Sequence, residues 1–553
     1  DLVRSRGLGD VYKRQQYPRL FKNKRVVTKK GLITIHKIDD KLYFEFPKSL
    51  LGREFLMGSS ISATSDNTSG LVGQTMTTPL HIRFAIQEDQ VYMQNVTPVS
   101  RMDVYSNQSD ISKAVAKSNI TPDMESFKIA AYNMDSTAVV FEVTKFFLAD
   151  NKRLPLFDQN SSSLEDEKYG QLELKAVLKK NLSSIRNFYV FDDNLEINLD
   201  MSFYQSLLAS KKEVRGGNVR VKAVYSMLLL PEETMVWRLG DPRLGYTFTK
   251  KQKISTEKDG TAFSYLQHKW NLLPADEEAY RRGDLVAPRK PVVFYIDSDF
   301  PEAWKKAIKE GVNWWNEAFK MAGFKDAVQT ADFPANDTTF YAGNLKYSCI
   351  RYVPVNLSKT QSKVWVDPRS GEIINGTIFV GHDIAKTIAS QRFVQTAQVD
   401  ERMRGIQLSE EVLLEGIRLY VAREVGHCLG LADNASASAA FSVESLRSPE
   451  FTRQNGIASS VMDELPYNYI AQPQDGKADF IQNKLGAYDL FAIQMGYMLV
   501  PDAKTPEEIR EKIMRWVSMK SGDPVYRYGK AQYQGAEYDP SALGGDLLSL
   551  IHI

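Results

Sequence analysis

The segment Arg423-Glu424-Val425-Gly426-His427-Cys428-Leu429-Gly430-Leu431-Ala432-Asp433 constrains this chain more than any other. It follows the pattern H-E-x-x-H-x-x-G-x-x-H/D at every marked position but the first. In the intact pattern, two histidines at i and i+4 share one helix face and hold zinc, and the glutamate between them works on the metal-bound water. A glycine then turns the chain toward a third ligand. Glu424, His427, Gly430 and Asp433 stand in register, but Arg423 stands where the first imidazole belongs. A zinc ligand must offer a lone pair. Guanidinium has five donors and no acceptor, and it stays charged. At about 4 Å and an effective dielectric near 20, two unit charges interact by ~4 kcal/mol, so a dication and Arg423 would repel by roughly twice that. The expectation is that a guanidinium–carboxylate contact between Arg423 and Asp433 replaces the metal.

The chain has 553 residues, long for one domain and suited to two to four. Its 43% hydrophobic and 25% charged residues are ordinary for a globular protein and supply sizeable cores. A net charge of +2 gives no electrostatic case for nucleic acid or a membrane surface. No apolar run in the sequence is long enough for a membrane span. Two cysteines, Cys349 and Cys428, cannot build a disulfide framework. Cys428 is either a soft metal ligand or a small buried hydrophobe. Adjacent helix positions point about 100° apart, which favours burial.

Residues 16 to about 285 read mainly as strands. Gly31–His36 and Lys41–Phe46 alternate apolar and polar around an Asp39-Asp40 turn. His81–Ile86, Val91–Asn95, Ala138–Phe147 and Val219–Leu230 read the same way, and Ser161–Lys168 reads as a loop. A boundary near residue 100 divides a small β-rich module, 16–100, from a larger β-rich domain, 101–287. From Pro288 the pattern becomes mixed. Pro291–Ile296 reads as a buried strand, and Asp299 as the cap of a helix with Pro301 in its first turn. Trp304, Ile308, Gly311, Trp315, Phe319 and Ala322 mark that helix's buried face, ended by Gly323. Tyr347–Val355 reads as a strand, Val366–Gly371 as a turn, and Ile373–Val380 as a strand. The motif helix runs from about Ser409 to Leu429. A further helix covers Asn483–Met498. Thr505-Pro506-Glu507-Glu508 is a capping box for a last helix. The fold class is therefore α+β, with a mixed-sheet domain over 288–500 and a helical region over 501–547.

Both ends resemble something other than protein. Asp10–Gln15 can be encoded by a nucleotide string whose reverse complement encodes Leu548–Ile553, and the string resembles a transposase mosaic end used as a sequencing adaptor. Residues 1–15 and 548–553 are therefore expected to be adaptor-derived and are set aside, His552 with them.

Downstream of the motif, Ser460-Val461-Met462-Asp463 resembles the methionine turn that underlies the metal site of metzincins. Val366–Ile373, Glu444–Thr452, Asn468–Pro473, Leu485–Asp489 and Gly496-Tyr497 resemble one family of large, exported bacterial zinc-dependent metalloproteases. The resemblance covers most of residues 16–547. It implies a zincin domain preceded by β-rich modules of unknown function, zinc as the family's cofactor, and a location in the periplasm or cell envelope. It puts the general base on Glu424, the second ligand on His427, the third on Asp433 where the family usually has histidine, and the Met-turn on Met462. The tyrosine that follows the family's Met-Asp is Glu464 here. Tyr467 and Tyr469 are nearby. His382 could be a substitute ligand or sit at the cleft rim. His36, His81 and His268 are read as ordinary. The strand Ile373, Ile374, Asn375, Gly376, Thr377, Ile378, Phe379 and Val380 is expected to offer an open edge to a peptide or protein ligand.

Three functions follow. The first is a pseudo-peptidase that keeps a peptide-binding cleft and has lost hydrolysis and tight zinc. The second is an active metalloendopeptidase using His427, Asp433 and a further ligand. The third places envelope or glycan binding in the β-rich half.

Overall fold

The computed structural model describes residues 13–529, other than 67–69, 74, 97–101, 105–112, 115–116, 158–164, 167–169, 255–261, 336, 338–339, 356–359, 406, 465–466, 477 and 504. Most of the two adaptor-like ends, and most of the loop expected at Ser161–Lys168, lie outside the described residues. The chain divides into two compact units.

The first unit comprises residues 1–232, 253–261 and 341–346. Its main feature is a sheet of 12 strands in which every described pairing is antiparallel. The alternating runs form strands as expected, including Thr34–Ile38 and Lys41–Pro47 joined through Asp39 at φ 54°. The longest hairpin pairs Asn194–Ala209 with Lys212–Leu229. Its two turn residues, Ser210 and Lys211, both have positive φ (48° and 68°). That is the turn whose twist matches paired strands. The inward faces bury an aromatic cluster of Phe46, Phe55, Phe84 and Phe141.

The break expected near residue 100 is not a break in this sheet. Asp123–Tyr132 and Ala138–Glu142 lie between Lys41–Pro47 and Gln90–Asn95, so residues from both sides interleave. Local periodicity marks strands but carries no information about which distant strands pair.

The second unit comprises residues 233–252, 262–340 and 347–553, so it begins earlier in the chain than Pro288. Five strands form its sheet: β1 (Val292–Ile296), β2 (Val328–Asp332), β3 (Ser348–Val353), β4 (Thr360–Asp367) and β5 (Glu372–Gly381). Their order is β2-β1-β3-β5-β4. All neighbours are parallel except β4, which runs antiparallel to β5 at the sheet's end. This corrects the expectation for Ile373–Val380. Those residues lie in β5, which pairs with β4 on one side and β3 on the other, and the edge belongs to Thr360–Asp367.

Helix α1 (Glu302–Asn313) starts after Pro301, not at Asp299, and continues as α2 (Trp315–Met321) to Gly323, whose φ of 86° ends it. The face expected to be buried is buried throughout. A Cβ at Gly311 would lie 2.5 Å from Arg418 O, so this glycine lets α1 pack against the motif helix. Helix α3 (Ile384–Thr396) follows β5. The motif helix, α4 (Glu410–Cys428), is capped by Ser409, whose hydroxyl accepts from Val412 N. Then come α5 (Ala487–Tyr497) and α6 (Pro506–Lys520), the latter capped by Thr505. Ile513 and Val517 of α6 join the same core as α4, which extends that core past residue 500. The fold is α+β, as its sequence pattern indicates. Among the described residues no helix is long and apolar enough to cross a membrane.

Candidate active site

Helix α4 carries the motif, and its surroundings fix its C-terminal end. The last carbonyls of a helix lack intrahelical partners. Here Trp270 Nε1 donates to Cys428 O (2.8 Å) and Tyr497 Oη to Leu429 O (2.8 Å). Gly430 then reverses the chain at φ 95°, where a Cβ would lie 2.2 Å from His268 O. No residue other than glycine meets both demands. Below the helix lies the Met-turn. Met462 is fully buried, and a Cβ at Gly426 would come within 2.3 Å of its Sδ. Asp489 braces that turn: its carboxylate accepts from Ser460 Oγ (2.5 Å), Val461 N (2.8 Å) and Gly486 N (2.8 Å). Burial outweighs these bonds and pushes its pKa up to about 7. The motif residues Gly486 and Asp489 thus hold Ser460–Met462 under α4.

On the upper face the polar residues converge, but in an ion-pair arrangement. Arg423 Nη2 donates to Asp433 Oδ1 at 2.7 Å. His427 Nε2 approaches the same oxygen at 3.2 Å. His427 Nδ1 lies 2.9 Å from Leu431 O. Both ring nitrogens therefore face acceptors, and only the imidazolium satisfies both. Burial alone would lower the His427 pKa. The Asp433 hydrogen bond, with the charges of Glu424 and Asp433, reverses this and raises it. Burial opposes the ionised form of Asp433 in the same way. The His427 hydrogen bond and the Arg423 charge overcome it and bring the carboxyl down to about 2. Glu424 is turned elsewhere: its Oε1 accepts from Thr360 Oγ1 at 2.9 Å, and the pair is buried.

These residues do not fit a zinc ion. His427 and Asp433 are the two donors at hand, they are bonded to each other, and a fixed cation sits on the carboxylate. Among the described residues no group of three or more His, Cys, Asp and Glu side chains is arranged to hold a metal. Cys428 is fully buried against β5, its Sγ facing the space left by Gly376. His382 bonds Tyr352 Oη (2.6 Å) and stacks on Trp304. His36 and His81 pair with Glu45 and Glu54, and His268 is held by Thr247 and Thr249. Tyr467 is buried near Arg392, and Tyr469 packs beside Ile470, so neither lines the cleft.

Beside Arg423 opens a cavity of about 290 Å³. Its walls include Thr360 of β4, Ile384 of α3, Leu419 and Glu424 of α4, Val461 of the Met-turn and Glu464 just after it. Tyr420, whose hydroxyl donates to Gln391 Oε1 (2.6 Å), also lines it. Thr360 and Tyr420 are not evident from the motif alone. Tyr420 could have been found by helical spacing, since it precedes Arg423 by three and Glu424 by four positions. Thr360 carries no such signal.

A parallel sheet closed by one antiparallel edge strand, with a glutamate-bearing helix below it and a methionine turn beneath, defines a zincin-type domain. The family comparisons agree. Residues 405–549 match the Met-zincin family. Residues 73–275 and 14–64 match two families described as Domain of unknown function (DUF5117) and Domain of unknown function (DUF5118). The chain thus carries a Met-zincin region, similar to a zinc-metallopeptidase-like family, preceded by two regions that match domains of unknown function. No curated protein and no solved structure gives a significant match.

Proposed function

We propose that this chain is a non-hydrolytic member of its family that binds extended peptide segments along the outer edge of β4. One observation carries the reading. The Arg423–Asp433 contact, with His427 on the same carboxylate oxygen, consumes the donors that zinc would need. Glu424 acts in this reading as a buried structural acid, anchoring β4 through Thr360. Met462 packs under the helix against Gly426. An edge strand offers main-chain donors and acceptors whatever the chemistry below it, so strand addition survives the loss of zinc. In this reading the peptide-binding edge is Thr360–Asp367 and not Ile373–Val380, and the family resemblance supports a location outside the cytoplasm.

Calorimetric zinc titration at neutral pH tests the reading. Binding no tighter than micromolar is expected, together with no chelator-sensitive cleavage of a denatured-protein substrate. One tightly held zinc per chain would refute it and favour the active metalloendopeptidase.

A further inference from the structure

We infer that Arg423 holds a main-chain carbonyl oxygen of the bound peptide, and that the carboxylates beside it select a lysine or arginine side chain for the adjoining cavity. This rests on the peptide-binding reading above and names the class of ligand.

Of the nitrogens of Arg423, Nη2 is engaged by Asp433, while Nε is buried and has no partner among the described residues. A buried donor left without an acceptor costs about 1–3 kcal/mol, and more when charged. The site therefore favours an acceptor supplied from outside, and Arg423 lines the cavity through which one could arrive.

Charge decides which acceptor. Glu424, Asp463 and Glu464 share the cavity wall with Arg423. Asp433 is shared by two cations, Arg423 and the His427 imidazolium, while three carboxylate residues stand in the wall of one cavity. An incoming carboxylate would meet their repulsion. A neutral peptide carbonyl would not, and a cationic side chain would be attracted. Asp463 is partly committed, since its Oδ2 accepts from Ser438 N. Glu464 is exposed and adds further negative charge. Size and lining agree. A cavity of about 290 Å³ admits one long side chain, and Ile384, Leu419 and Val461 give an aliphatic stem something to lie on while the charged head stays polar. Thr360 begins β4 and also stands in the cavity wall, so a strand added to that edge has the cavity beside it.

The test uses the full chain in EDTA with three fluorescein-labelled, end-blocked octapeptides that differ only in a central lysine, leucine or glutamate. Fluorescence anisotropy is expected to show the lysine peptide binding at least tenfold tighter than the glutamate peptide. Glu464→Gln, an exposed change that leaves the fold alone, should shrink that ratio several-fold. Arg423→Lys keeps the charge but loses the planar donor edge, and should weaken all three peptides alike. Equal binding of the three peptides by the unmodified chain would overturn the inference alone and leave the cleft reading standing. An unchanged affinity in Arg423→Lys would overturn the carbonyl contact. Failure of every peptide to bind would sink this inference and the peptide-binding reading together.

Discussion

The two faces of the motif helix differ in kind. Below it, Met462, Gly426, Gly430 and the Asp489 brace form the packing that a Met-zincin domain needs to hold its active-site helix. Above it, Arg423, His427 and Asp433 form an ion-pair cluster where the family's motif calls for a metal site. The comparison teaches that a support can stay intact when the polar residues it carries change. The support depends on volume and backbone geometry, while the chemistry depends on lone pairs. One arginine leaves the first almost untouched and takes a lone pair from the second.

The largest expected effect comes from restoring the missing lone pair. Arg423→His removes the cation from Asp433 and offers an imidazole one helical turn from His427. With Asp433 as third ligand, the site would have three protein donors and an open position, the arrangement of a catalytic zinc site. Zinc affinity should rise by roughly a thousandfold, about 4 kcal/mol at 1.4 kcal/mol per tenfold. Hydrolysis should stay weak, because Glu464 stands where the family has a tyrosine. If calorimetry shows a folded but metal-free variant, the upper face does not converge as described.

Next in size is an attack on the support. In Gly430→Ala the new Cβ would meet His268 O at 2.2 Å, at a φ of 95° that alanine avoids. A loss of about 2–4 kcal/mol is expected from strain and overpacking together. A urea midpoint giving less than about 1 kcal/mol would mean that the turn relaxes freely.

The brace below the helix should show itself in pH. The Asp489 carboxyl is raised from 3.8 to about 7 by burial. Between those values the folded chain binds more protons at this residue than the unfolded chain does. Its contribution to stability is therefore full below about pH 4, falls as pH rises toward 7, and is level above that. At about 1.4 kcal/mol per pH unit the change should be at most about 4 kcal/mol, and Asp489→Asn should flatten it. An unaltered slope in that variant would assign the pH dependence to other groups.

How much of this was legible in sequence follows from range. The cap at Ser409, the turn at Gly430 and the buried face from Trp304 to Ala322 depend on neighbours a few residues away, and periodicity reveals them. Asp299 misleads, because the proline that follows starts the helix without it. The edge strand Thr360–Asp367 is hidden for a physical reason: Gln361-Ser362-Lys363-Val364 sits half-exposed at a sheet's end, where no apolar alternation is required. The site partner Thr360 is 64 residues from Glu424, and only the folded sheet brings them together. The Arg423–Asp433 pair was legible because both residues belong to one motif, whose turn at Gly430 brings position 433 back beside the helix. The order of strands in the first unit was not legible, because pairings such as that of Lys41–Pro47 with Ala138–Glu142 join segments far apart in sequence.

The smallest effect is expected from the ion pair itself, and it separates the two faces most cleanly. Were Arg423–Asp433 fully buried, deleting the carboxylate would leave an unpaired charge and cost ~3–5 kcal/mol. The pair is not fully buried. The Asp433 side chain is 46% exposed and that of Arg423 is 22% exposed. Water therefore screens the contact and can solvate whichever partner remains, so Asp433→Ala should cost only about 1 kcal/mol. The direction of its pH dependence is fixed as well. The Asp433 carboxyl is lowered from 3.8 to about 2, so its contribution is present above about pH 4 and is lost as pH falls toward 2. Asp433→Ala should remove that acid-limb contribution while leaving intact the opposite slope that Asp489 produces between pH 4 and 7. Urea melts at pH 2.5, 5 and 7.5 compare the two variants directly. If Asp433→Ala costs several kcal/mol, or changes the slope between pH 4 and 7, then the ion pair is part of the support rather than a replacement laid on top of it, and the division between the two faces fails.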